Sequence, residues 1–210
     1  MVLNEHEPRA VSFASARSKA FSPVVPRVTT HPRMEITRAI LLRKTRLTET
    51  SLIITWLTAS HGRLKTVAKG ARQPRSRFAG RLDLFFECDL QWSRSRQSEL
   101  HTLREVEIID AHEAVRLDFL RVSLAAYFVE LIELVTEAEH AVPEVYDLFN
   151  RALCYLNANP ASQLALEHFE KELVRLLGIA NPAVSAAVAL GRAHHRMPRG
   201  RAELLGRLRG

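Results

Sequence analysis

Cysteine is scarce in this chain: Cys88 and Cys154 are the two in 210 residues. Both stand in apolar segments that read as regular structure. That excludes a disulfide framework and points to buried free thiols in a reducing compartment. Long apolar runs are missing too. None approaches the ~20 residues of a membrane-spanning helix, and no signal-peptide core stands near residue 1. No membrane is therefore expected among the partners, and the cytoplasm is the expected location. Glycine is sparse, at 8 residues. None of them builds a G-x-x-x-x-G-K-[ST] phosphate loop, a dinucleotide fingerprint or a G-x-S-x-G nucleophile elbow. The chain is accordingly not expected to be an enzyme. A last absence is local: residues 63–81 hold seven Lys or Arg and no Asp or Glu.

What is there is positive charge, unevenly spread. The formal net charge is +7 and the isoelectric point is near 10, which favours a polyanionic partner. Residues 1–33 carry a net +3, 34–110 a net +5, 111–180 a net −6 and 181–210 a net +5. The basic surface is thus confined to parts of the molecule. Within the acid-free stretch lies "TVAKGARQPRSRFAG" (66–80), with Lys69, Arg72, Arg75 and Arg77, punctuated by Gly70, Pro74 and Gly80.

The hydrophobic fraction, 47%, suffices for a real core. Residues 1–33 are rich in Ser, Pro and Arg without periodicity, and read as a disordered extension. Five strand-like segments follow: "EITRAILLRK" (35–44), "SLIITWLT" (51–58), "GRLKTVAK" (62–69), "LFFECDLQWS" (84–93) and "ELHTLREVEII" (99–109). The fourth alternates clearly, with Phe86, Cys88, Leu90 and Trp92 on one face. The fifth alternates with a slip near Leu103, the mark of a bulge. "SRSRQ" between them is a hairpin tip. Five short strands within about 75 residues predict a small closed barrel, because closure removes exposed edges. The period then becomes helical. Leu117, Leu120, Leu124, Phe128, Leu131 and Val135 predict one helix over 115–138. A second runs from Pro143 to Ala158, and a third from a Ser162 cap to a Gly178 stop. The predicted fold is α+β: a barrel domain over 34–111, a helical bundle over 112–180 and a poorly ordered basic tail over 181–210.

The acid-free connector is the first candidate site. Charge-assisted contacts from Arg and Lys neutralise phosphates and release counterions, whereas a solvated loop would need no such density. Arg63 and Lys65 on the third strand, with Arg43, Lys44 and Arg46 ahead of the second, tip the reading to binding. Lys69, Arg72, Arg75, Arg77 and Arg81 complete the basic set, and Phe78 within it is a candidate for stacking on a base. Trp56 and Trp92 lie on the apolar phase of their strands and are assigned to the core. Tyr127 and Tyr146 read as helix-packing residues with hydroxyls at the rim. Glu87 and Asp89 share a strand face; a solvated outer face explains them better than a nuclease metal centre. The His194-His195 pair is too weak a signal for a metal site.

The stretch from "RAILLRKTRLTETSL" through "HGRL" to "AKGAR" and "SRFAGRL" resembles the RecO family of bacterial recombination-mediator proteins. "ELHTLREVEII" is similar to that family's fifth strand, and the resemblance spans about residues 36–180. It implies an oligonucleotide-binding (OB) barrel followed by a helical domain, and binding and annealing of single- and double-stranded DNA. It further implies partnership with RecR and single-stranded-DNA-binding protein, in loading recombinase on gapped DNA near the bacterial nucleoid. A hydrophobic groove of the helical domain would take the tail of the single-strand-binding protein. Many family members carry four zinc-binding cysteines after the third helix. None stands there here, so no metal or other cofactor is expected. The family's further helices are expected to be missing or reduced to "RAELLGRL". Two other readings stand beside it: a protein–protein adaptor with a degenerate helical domain, and an RNA-associated OB-fold protein.

Overall fold

The computed structural model describes residues 34–209; the extension expected over 1–33 lies outside them. The strands are β1 (Met34–Arg46), β2 (Leu52–Thr58), β3 (Gly62–Ala68), β4 (Glu87–Ser93) and β5 (Leu100–Asp110). They close into a barrel in the order β1-β2-β3-β5-β4. Every pairing is antiparallel except β3–β5, where Lys65, Thr66 and Val67 run parallel to Leu100, His101 and Thr102. This is the OB-fold arrangement that the strand count and the resemblance predict.

Alternation explains the interior. Ala39, Leu41, Ile54, Trp56, Leu64, Cys88, Leu90, Trp92, Leu103 and Val106 fill the barrel, and both tryptophans are fully buried. Trp56 keeps its one polar atom satisfied, its indole N–H donating to Thr66 Oγ1 at 2.8 Å. The predicted slip on β5 is real: Gln91 pairs with Glu105 but Trp92 with Leu103, which leaves Arg104 unpaired. A second shift, between Leu41 and Arg43 on β1, sets Leu42 and Arg43 together against Thr55.

The helices are α1 (Glu113–Leu117), α2 (Phe119–Val135), α3 (Pro143–Ala158), α4 (Gln163–Leu176), α5 (Ala186–His194) and α6 (Arg201–Arg209). The single helix predicted over 115–138 is broken in two. Asp118 takes an extended conformation and its carboxylate accepts the Arg121 N–H at 2.8 Å, capping α2. Leu117, counted in the apolar stripe, is 87% exposed. The other two predicted helices match. Ser162 caps α4 through the Ala165 N–H, and Gly178 takes the left-handed conformation after it.

Residues 181–209 are not a poorly ordered tail. They form α5 and α6, with Leu190 and Leu204 buried in the helical core. The charge reading missed them because one of their cations is buried against a carboxylate of α4. Arg201 makes a two-pronged contact with Glu170, at 2.6 and 2.8 Å, and Glu170 is 1% exposed. Tyr127 also donates to Glu170, and Tyr146 donates to Glu87 at 2.9 Å. Both hydroxyls are therefore buried, not at a rim; burial and the neighbouring carboxylates push them well above the usual tyrosine range.

Barrel and helices share one core. Ile40, Leu42, Leu57 and Phe85 leave the outer barrel wall to pack with Leu124, Phe128, Phe149 and Phe169. The described residues, 34–209, accordingly fall in one compact unit, with no split near residue 111. Among the described residues no helix is long and apolar enough to cross a membrane.

Candidate nucleic-acid interface

The connector between β3 and β4 is a chain of turns, not a slack loop. Successive backbone bonds join Ala71 to Ala68, Gln73 to Gly70, Ser76 to Gln73, Ala79 to Ser76 and Arg81 to Phe78. Gly70 and Gly80 supply the positive φ values, 68° and 71°, that such reversals require. The turns are tied to the β1–β2 loop: the Arg72 N–H donates to Thr50 O at 2.9 Å, and its guanidinium to Glu49 O at 3.0 Å. Phe78 is 3% exposed and packs in the barrel core with Phe86, Leu82 and Leu84. It is an anchor for the connector, not a stacking platform. Arg77 lies over its outer face, the guanidinium carbon 4.8 Å from the ring centre. The basic side chains are thus held by an apolar plug driven into the barrel.

The structure divides the predicted basic residues into two groups. Lys65, Lys69, Arg72, Arg75, Arg77 and Arg81 are exposed, and among the described residues none has a carboxylate within ion-pair distance. The others are occupied. Arg43 makes a two-pronged bond to Glu133, at 2.6 Å through both nitrogens, which holds its guanidinium pKa up. Lys44 bonds Asp83 at 2.6 Å, and Arg46 bonds Glu49. Asp83 also takes Arg116 at 2.8 Å. Burial pushes its carboxyl up, but the bonds from Lys44, the Leu84 N–H and Arg116 outweigh this and hold it below the usual range. Arg63 is turned inward, donating to Thr136 O at 2.7 Å.

Beside the connector lies the outer face of β1–β3. Arg43, Thr55 and Lys65 form one cross-strand row, and Thr45, Ile53 and Val67 the next. No aromatic residue stands in either row. The face offers cations, hydroxyls and a small apolar strip, so phosphate contact is open to it and ring stacking is not.

The outer face of β4 is also not as predicted. Glu87 is 5% exposed, bonded by Tyr146 and Asn150 of α3, with Arg38 at 3.6 Å. It ties the barrel to the helices and offers no solvated metal centre with Asp89. At one end of the barrel wall, His61 and Arg94 pair with Glu35, while Arg94 and His101 pair with Glu139. His101 and Trp92 stack there with centroids 4.5 Å apart.

Comparison with known proteins fits this architecture. The family model "Recombination protein O N terminal" matches residues 34–112, the barrel, and "Recombination protein O C terminal" matches residues 116–193, through α5. The chain belongs to the RecO family. Similar curated proteins carry the name "DNA repair protein RecO". That of Syntrophotalea carbinolica is 32% identical over 68% of this chain and 55% of its own length. Those of Pelobacter propionicus and Roseiflexus sp. are 32% and 33% identical, over 66% and 70% of this chain and 56% and 50% of their own lengths. The chain thus spans about half the length of these RecO relatives. The second match runs past residue 180, into the segment predicted as a tail.

Proposed function

We propose that this RecO-family chain is a DNA repair protein that binds single- and double-stranded DNA by its phosphates and anneals complementary strands. The observation that carries this is the fixed connector with its acid-free cations, Lys65, Lys69, Arg72, Arg75, Arg77 and Arg81, beside a face without aromatic residues. Cations held at fixed spacing neutralise two backbones and screen their mutual repulsion. With no ring to stack on, bases stay free to find their complements. The chemistry is electrostatic and non-covalent.

The partner side of the reading rests on the helices. A groove of about 440 Å³ between α3 and α4 is lined by Phe128, Leu148, Tyr155, Leu164, Arg151 and His168. Apolar walls beside the exposed Arg151 guanidinium suit an acidic, hydrophobic peptide tail, the kind expected of single-stranded-DNA-binding protein. Such a contact would bring the chain to coated gaps, where RecR and the recombinase would follow.

One experiment tests both halves: annealing of complementary oligonucleotides, naked or coated by single-strand-binding protein, with and without RecR. Replacing Arg72, Arg75 and Arg77 by Ala should lose annealing on both substrates. It should also lower the slope of log affinity against log salt by roughly 3. Leu164→Asp should lose annealing of coated strands only. Normal annealing by the triple variant refutes the phosphate site; normal annealing of coated strands by Leu164→Asp refutes the groove.

A further inference from the structure

Three groups that play no part in DNA contact converge where β5 leaves the barrel. Asp110 is the last residue of β5, His112 occupies the left-handed turn before α1, and Cys154 comes across from α3. The His112 ring is fully buried. Its Nε2 stands 3.7 Å from Asp110 Oδ2 and 3.9 Å from Cys154 Sγ. All three ligand-type atoms lie within 4.8 Å of one another.

The hydrogen bonds around the cluster fix the orientation of two of the three groups. His112 Nδ1 lies 2.8 Å from Phe85 O, and a carbonyl only accepts, so Nδ1 carries the proton. Nε2 is then the nitrogen that faces Asp110 and Cys154. Its neighbours are both distant, Asp110 Oδ2 at 3.7 Å and Cys154 Sγ at 3.9 Å, so a fully buried nitrogen has no close hydrogen-bond partner. Asp110 is oriented as well: its Oδ1 accepts the His112 N–H at 2.7 Å, which turns Oδ2 toward the imidazole. An imidazole whose far nitrogen donates to a backbone carbonyl is the arrangement that holds a histidine ligand in the correct tautomer.

We propose that Asp110, His112 and Cys154 bind a divalent cation of the zinc class. An N, O and S donor set selects a borderline metal over Mg2+ or Ca2+. With metal–ligand bonds of about 2.0–2.3 Å, tetrahedral ligand atoms sit roughly 3.3–3.8 Å apart. The two separations from Nε2 close to that with shifts of a few tenths of an ångström, and the third, from Asp110 to Cys154, is within 4.8 Å. Cys154 is exposed, so water would supply the fourth ligand. These residues are not the four-cysteine set expected to be missing. The bound ion would join the end of β5 to α3, adding a coordinate link between barrel and helices.

The test titrates the full, chelator-stripped and reduced chain with Co2+, then displaces it with Zn2+. One cobalt per chain is expected, with a thiolate-to-cobalt charge-transfer band in the near ultraviolet and visible bands of a four-coordinate ion. Cys154→Ser should abolish the charge-transfer band. Asp110→Asn, which keeps the Oδ1 acceptor, should weaken Co2+ binding tenfold or more. Ala at both His194 and His195 should change neither. Absence of the charge-transfer band, its survival in Cys154→Ser, unchanged affinity in Asp110→Asn, or loss of binding in the double-histidine variant overturns the site. Circular dichroism of each variant confirms that it is folded before titration.

Discussion

Gly62 and Arg63, the centre of "HGRL", are the residues whose role changes most between sequence and structure. Gly62 has φ +68°, and a Cβ there would overlap the backbone of His140 in the α2–α3 loop. The next residue continues the same contact. Arg63 O accepts the Glu139 N–H at 2.9 Å, and its guanidinium caps Thr136 O at the end of α2. The motif therefore docks the helices on the barrel. Two substitutions two positions apart on the same face of β3 should then behave oppositely. Arg63→Ala strips the donor from Thr136 O and should cost about 1–3 kcal/mol of stability in urea denaturation. The salt slope of DNA binding should stay unchanged. Lys65→Ala should leave the denaturation midpoint alone and lower that slope by about 1. A slope altered by the Arg63 variant would return that residue to the DNA interface.

At the scale of elements, legibility followed the strength of the local pattern. The alternation of "LFFECDLQWS", the short apolar run of "SLIITWLT", and the apolar stripes and end signals of the helices over Pro143–Ala158 and from Ser162 to Gly178 are local features that no tertiary contact has to supply. The connector's charge was legible too, though Phe78 was not: a phenylalanine among arginines looks exposed until the barrel core that receives it exists. Asp118 broke a helix that periodicity joined, because a capping carboxylate and a helical surface Asp look alike in sequence. Helices α5 and α6 were invisible for a different reason. They carry Gly191 and Gly206 and many cations, and much of their stability is tertiary. The Arg201–Glu170 pair is its clearest expression. Replacing Arg201 by Ala leaves the Glu170 carboxylate buried with Tyr127 as its remaining bonded partner. That should cost about 3 kcal/mol and free α6, read as a lower urea midpoint and faster amide exchange over 201–209. Adding Glu170→Gln should recover much of the loss, since the stranded charge then disappears. A double variant no better than the single one would put the stabilisation in α6 packing instead.

For the whole molecule, the same ion pairs that join barrel to helices set a dependence on acid. His101 is held below the usual histidine range chiefly by burial, against the pull of Glu139. Its Nδ1 accepts the Ser95 N–H at 3.2 Å and its other nitrogen faces Glu139, as a neutral ring requires. Burial pushes Glu139 up, but Arg94 and His101 outweigh it and hold the carboxyl low. Asp83, between Lys44 and Arg116, is low for the reason already given. In all three the folded value lies below the unfolded one, so the unfolded chain binds more protons as pH falls. The stability they contribute is present above the ordinary values and is lost on acidification. The loss should come in two stages: a shallow decline starting below about pH 6.5 as His101 is forced to charge, then a steeper one below about pH 4 as Asp83 and Glu139 protonate. Thermal unfolding across pH 8 to 3 checks this, and His101→Gln separates the stages. That variant should start from a lower melting temperature and lose the shallow decline while keeping the steep one. Were the shallow decline to persist without the imidazole, its source would lie outside the Glu35–Arg94–Glu139 network, and the link between barrel and helices would not be the proton-sensitive joint of the fold.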